Sequence, residues 1–132
     1  GTKNRYYNEE TDYVYAEIRD VQFLFVFERR NMTEAEYQEY LVKRIYKLLP
    51  GKKFVDTIVI INDPNYIQGI PDLTVLHHSR WAFLEVKLTE KSKVQPNQEW
   101  YLQNWGQWVF TAFIHPGNEE EVLHALQQAL QR

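Results

Sequence analysis

The sequence predicts a mixed α/β domain, and three observations carry that prediction. Apolar residues recur at helical spacing in two otherwise polar stretches, near residues 37–48 and 122–129. Five runs rich in β-branched and aromatic residues lie before and between them. Pro, Gly and Asn clusters separate these segments. The order is helix, three strands, helix, strand, helix, with a β-rich addition in front. A chain of 132 residues, 44% hydrophobic, is long enough to bury one core without staples.

Residues 1–11 read as a frayed arm, and 12–28 (DYVYAEIRDVQFLFVFE) as one or two strands. The domain expectation is an N-terminal extension over 1–30 and a core over 31–132. Thr33 opens a helix, with Glu36 three residues on as a capping box. Its apolar stripe is Tyr37, Leu41, Ile45 and Leu48, and Pro50-Gly51 ends it. Residues 53–61 (KFVDTIVII) read as a strand, and their apolar second half places it centrally in a sheet. Asn62-Asp63-Pro64-Asn65 is a loop. Strands follow over 72–77 and 80–88. Pro96 starts a helix and Gly106 follows its end. Residues 107–114 form the last strand, and Asn118 with Glu121 caps a final helix carrying Val122, Leu126 and Ala129.

The chain has no cysteine, which excludes disulfides, thiolate nucleophiles and cysteine-bound zinc. No apolar run approaches a membrane span of about 20 residues, and Gly1–Glu10 shows no secretory h-region. The expectation is an intracellular, cytoplasmic protein in a reducing compartment, neither secreted nor in a membrane.

Chemistry concentrates in one hairpin. If its strands join at His78-Ser79, with residue 77 facing 80, then Asp72 faces Glu85. Residues alternate faces along a strand, so Glu85 and Lys87 project on the same side. Directly opposed side chains have Cβ atoms about 5 Å apart. Two carboxylates and an ammonium thus converge, and the carboxylates repel unless a cation lies between them. Hard oxygen ligands of this kind suit Mg²⁺ or Mn²⁺, which also accept phosphate oxygens.

The ordered set Glu36-Tyr37-Gln38, Gly69-Ile70-Pro71-Asp72, Glu85-Val86-Lys87 and Pro96-Asn97-Gln98 resembles the PD-(D/E)xK nuclease superfamily, and more narrowly its VRR-NUC branch. The resemblance covers residues 33–132. It implies a restriction-endonuclease-like core, with a mixed central sheet flanked by helices. It also implies a Mg²⁺- or Mn²⁺-dependent DNA endonuclease that leaves 5′-phosphate and 3′-hydroxyl ends. Carried over by position, Asp72 and Glu85 are metal ligands, with the Val86 backbone carbonyl as a further one. Lys87 orients water or stabilises the transition state. Glu36 reaches the metal through water, and Gln98 positions Lys87 or a phosphate. Small members of the branch are structure-specific, including dimeric Holliday-junction resolvases, so the expected partners are branched or flapped DNA and a second copy of the chain.

Other readings stand beside these. The capping box alone also accounts for Glu36. A non-catalytic nucleic-acid-binding or scaffold member of the same fold, or the nuclease subunit of a larger complex, would share the motifs. His77, His78, His115 and His124 show no ligand spacing. Asp56 and Asp63 are possible extra carboxylates, Asp63 as a turn residue first. Trp100, Tyr101, Trp105 and Trp108 read as core in preference to base-stacking residues. The net charge of −3 is uneven: residues 40–95 carry nine basic and five acidic side chains. Lys91 and Lys93 just beyond the hairpin, with Lys52 and Lys53, are the candidate DNA-contacting cations.

Overall fold

The computed structural model describes residues 28–29, 31–89 and 96–131. The expected β-rich segment at 12–28 falls almost wholly outside these residues, as do Lys91 and Lys93. The chain divides into two compact units, Gly1–Met32 and Thr33–Arg132, and the elements below belong to the second.

Helix α1 spans Glu34–Leu48. Thr33 caps it: its Oγ1 accepts from the Glu36 N–H at 3.1 Å, and Glu36 Oε1 accepts from the Thr33 N–H at 2.9 Å. Tyr37, Leu41 and Ile45 are fully buried. The fourth apolar contact is Leu49 rather than Leu48, because Leu49 leaves the helix in an extended conformation and turns inward. Each such buried side chain contributes on the order of 1.5–3 kcal/mol relative to exposure.

Strands β1 (Thr57–Ile61), β2 (Leu73–His77), β3 (Arg80–Val86) and β4 (Phe110–Ile114) form one sheet in the order β1-β2-β3-β4. The first two pairings are antiparallel and the last is parallel. The parallel return is made through α2 (Pro96–Trp105). Helix α3 (Glu119–Gln131) closes the chain. Leu73, Val75, Ala82, Leu84, Val86 and Ile114 are buried on one sheet face and form the main core with the stripes of α1 and α3. Trp81, Phe83 and Glu85 lie on the other face. There Trp105 of α2 packs on Trp81 and Phe83, with ring centroids 5.7 and 6.3 Å away.

Several expectations are corrected. The strand expected over 53–61 begins only at Thr57. Before it, the Lys52 carbonyl accepts from the N–H groups of Val55 and Asp56, and Phe54 takes a positive φ of 69°. This strand is also an edge, not a centre. Ile58, Ile60 and Ile61 are 39–56% exposed, so their apolarity does not report burial on both faces. The edge is blunted instead: the Val59 N–H donates to Tyr46 Oη at 2.8 Å, and the Phe54 N–H to the Thr57 carbonyl at 2.8 Å. The strand expected over 107–114 starts at Phe110, because the N–H groups of Trp108 and Val109 turn back onto the Trp105 carbonyl. In α3 the buried apolar residues are Val122, Leu123, Leu126 and Leu130, and Ala129 is only half-buried. The Asn118 amide reaches backward, to the His115 N–H and the Phe113 carbonyl. Trp100 and Trp108 are 54% and 71% exposed, which removes them from the core. Among the described residues, no helix is long and apolar enough to cross a membrane.

Candidate active site

The β2–β3 hairpin turns through His78-Ser79, with His77 opposite Arg80 and Leu73 opposite Leu84. Continued one step, this register sets Asp72 opposite Glu85. Each carboxylate also accepts a hydrogen bond from the other strand's backbone. The Asp72 N–H donates to Glu85 Oε1 at 3.1 Å, and the Val86 N–H donates to Asp72 Oδ2 at 2.8 Å. Asn62 secures the other side of the segment, donating from its backbone to the Asp72 carbonyl at 2.9 Å and from its side chain to the Pro71 carbonyl at 2.8 Å.

Lys87 continues the alternation, and its Nζ lies 3.6 Å from Glu85 Oε2. Gln98, in the first turn of α2, bridges the two. Its Oε1 accepts from Lys87 Nζ at 3.1 Å, and its Nε2 donates to Glu85 Oε2. Gly69 permits that approach. Its φ is +83°, and a Cβ there would stand 2.2 Å from Asn97 Cβ. A residue with a side chain would push the start of α2 away from the hairpin. Between loop and helix runs a cleft of about 470 Å³, lined by Pro64, Gln68 and Asp72 on one side and Asn97 and Gln98 on the other.

Burial dominates the electrostatics. Glu85 is 1% exposed, and burial, with the Asp72 charge next, pushes its carboxyl up to about 8 against the pull of Lys87. Burial raises Asp72 too, opposed by the Val86 N–H. In water near neutrality the pair therefore resists carrying two negative charges. Such a pair fits a hard divalent cation. Mg²⁺ commonly takes one or two protein carboxylates and completes its shell with water and phosphate oxygens. Asp72 and Glu85 are the side chains that would hold it. Among the described residues, no group of three His, Cys, Asp or Glu side chains is placed to hold a metal ion.

The remaining candidates are distributed differently. Glu36 is exposed, and its carboxylate is engaged in the helix cap. Glu34, two residues earlier and not singled out from sequence, is the helix carboxylate that senses the site. Its pKa is raised by burial and then by the charge of Asp72, and lowered by Lys87. Position in the first turn of α1 was the available signal, but it does not separate Glu34 from Glu36. Lys52 and Lys53 precede β1 at the His77 end of the ladder, whereas Asp72 lies at the other. Five strand residues put them on the order of 15 Å from the carboxylates. Lys53 instead lies over the rings of Tyr46 and Phe54, 4.9 and 5.0 Å from their centroids. His78 Nε2 and Asp56 Oδ1 pair at 2.7 Å at that same far end. Asp63 caps its own loop, its Oδ1 accepting from the Asn65 N–H at 2.8 Å. Scans against protein-family models, curated proteins and solved structures find no match to the chain.

Proposed function

We propose that the chain is a metal-dependent DNA endonuclease with a restriction-endonuclease-like core, hydrolysing phosphodiester bonds to leave 5′-phosphate and 3′-hydroxyl ends. The observation that supports it is the meeting of Asp72, Glu85, Lys87 and Gln98 at one end of the β2–β3 hairpin. A bound Mg²⁺ or Mn²⁺ would supply a Lewis acid for the scissile phosphate and lower the pKa of bound water. The chain's own residues do the rest. Asp72 and Glu85 would hold the cation, with the Val86 carbonyl as a further ligand. Lys87 presents its ammonium to the attacking water or to the charge developing on phosphate. Gln98 fixes Lys87 against Glu85, so that the ammonium does not swing into solvent. Burial of Glu85 keeps the local dielectric low, which strengthens each of these interactions.

Structure-specific cleavage of branched or flapped DNA by a homodimer is the finer form of this proposal. The test is incubation with labelled duplex, flap and four-way-junction DNA in Mg²⁺ or Mn²⁺. Chelator-sensitive cleavage of at least one substrate is expected, and no cleavage of any would overturn the reading. The two-carboxylate donor set favours one second reading, a non-catalytic nucleic-acid-binding or scaffold member in which the acidic pair is idle. Mn²⁺ titration separates the two. Binding lost in Asp72→Asn supports the nuclease, and absence of binding in the parent supports the idle site.

A further inference from the structure

The start of β3, at the end of the sheet away from the carboxylates, carries a second concavity. One hollow of about 550 Å³ is lined by Arg80, Trp81, Trp108, Phe110 and Leu130 among others. A neighbouring hollow of about 350 Å³ is lined by His78 and Gln131 among others. The two share Ser79, Arg80 and Leu130, so they meet at Arg80. Arg80 and Glu85 stand five residues apart along β3, on the order of 15 Å, which separates this concavity from the cleft described above.

The lining joins two kinds of chemistry. Arg80 supplies charge. Among the described residues its guanidinium meets no carboxylate, and its hydrogen bond is a long one, from Nη1 to the Ala129 carbonyl at 3.4 Å. A guanidinium carries five N–H donors in a fixed fork, so most of this one is left for an anion. No Asp or Glu lines either hollow, and Ser79 adds a hydroxyl beside the fork. Trp108 supplies a flat face. Its indole is 71% exposed, yet it stands on a fixed turn, because the N–H groups of Trp108 and Val109 both donate to the Trp105 carbonyl. Trp81 and Trp105 serve the fold instead, packed against each other. An indole face and an unpaired guanidinium in one concavity suit a ligand that joins a planar ring to an anionic group. Phosphate matches the arginine fork, and any nucleobase offers a face to the indole. A neutral ring would leave Arg80 unused, and a bare anion would leave Trp108 unused. The volume is in the range of small-ligand sites.

We propose that this concavity binds a nucleotide, its base stacked on Trp108 and its phosphate held by Arg80 and Ser79. Binding here does not depend on whether the carboxylate cleft cuts DNA. The nucleotide is either free or the terminal unit of a strand, since both present a base and a 5′-phosphate.

The test is a proton–nitrogen NMR titration of the full chain in chelator, so that no cation bridges a phosphate to Asp72 and Glu85. The probes are deoxyadenosine 5′-monophosphate, deoxyadenosine, inorganic phosphate, and a 5′-phosphorylated deoxyadenosine tetranucleotide. The monophosphate should bind about tenfold tighter than either deoxyadenosine or phosphate, and should shift the amides of residues 79–81 and 107–109. Arg80→Gln should weaken the monophosphate about tenfold and leave deoxyadenosine unmoved. Trp108→Ala should weaken both about tenfold, and Trp108→Phe, which keeps a stacking ring, should recover most of that loss. Both side chains are exposed, so the rest of each variant's spectrum should overlay the parent's. A tetranucleotide that binds as tightly as the monophosphate assigns the site to a strand end, and one that binds more weakly assigns it to free nucleotides. A monophosphate that does not bind, that binds no tighter than deoxyadenosine, or that binds both Arg80→Gln and Trp108→Ala as it binds the parent overturns the inference.

Discussion

Glu34 and Glu36 sit two positions apart in the first turn of α1 and have different roles. Glu36 turns back to the Thr33 N–H and completes the cap, while Glu34 feels the charges of Asp72 and Lys87. Glu36→Ala should therefore lower stability by about 1 kcal/mol and barely alter cleavage. Glu34→Gln should slow cleavage severalfold with little change in thermal midpoint. Paired melting and cleavage assays check this, and the reverse pattern would restore Glu36 to the site. Glu85 yields a prediction in pH. Its carboxyl titrates near 8 in the folded chain, against 4.5 for an unperturbed one. Between those values the unfolded chain has released a proton that the folded chain keeps, so metal-free stability falls as pH rises from about 4.5 to about 8. Asp72, also raised, acts in the same direction. Thermal melts in chelator across this range should show the decline, and Glu85→Gln should flatten it. A midpoint that climbs through the window would show that the carboxyl is not raised.

At the scale of elements, the hairpin was legible because strand parity is local arithmetic. A two-residue turn at His78-Ser79 fixes which residues share a face, and Asp72 meets Glu85 as a consequence. The contact of Gln98 with Lys87 was legible only through the motif resemblance, since nothing local says where a helix that starts ten residues beyond the end of β3 will land. The distance of Lys52 and Lys53 from the carboxylates was not legible, because it depends on the path of the 52–56 turn and on which end of β2 receives β1. The edge position of β1 was hidden for a related reason: an apolar run such as Thr57–Ile61 states affinity for apolar surroundings, not how many strands flank it. Gly69 links hairpin and α2, so Gly69→Ala should displace Asn97 and with it Gln98. The expected outcome is a loss of about 1–2 kcal/mol in stability and a larger proportional loss of cleavage. Asn97→Gly in the same chain should recover part of both by relieving the collision, and a strictly additive double variant would contradict the link.

For the molecule as a whole, the net charge of −3 conceals a basic middle, residues 40–95, between acidic ends. The structure divides that middle further. Lys87 is buried at the site, Arg44 is engaged by Glu119 and Glu120, and Lys52 and Lys53 lie at the other end of the sheet. Lys91 and Lys93, just beyond the hairpin in sequence, are the remaining candidates for backbone contact, and if those two carry it the slope of log affinity on log salt should be about −2. A much steeper slope would require a second basic surface. In the proposed phosphodiesterase site at the end of the β2–β3 hairpin, Lys87 acts directly on the reaction. The most direct measurement is single-turnover cleavage of a susceptible DNA in Mg²⁺ by the parent and by Lys87→Ala, at matched fold by circular dichroism. The expected rate for Lys87→Ala is lower by about two to four orders of magnitude, with DNA binding retained. A Lys87→Ala protein that cuts at the parent's rate would contradict it.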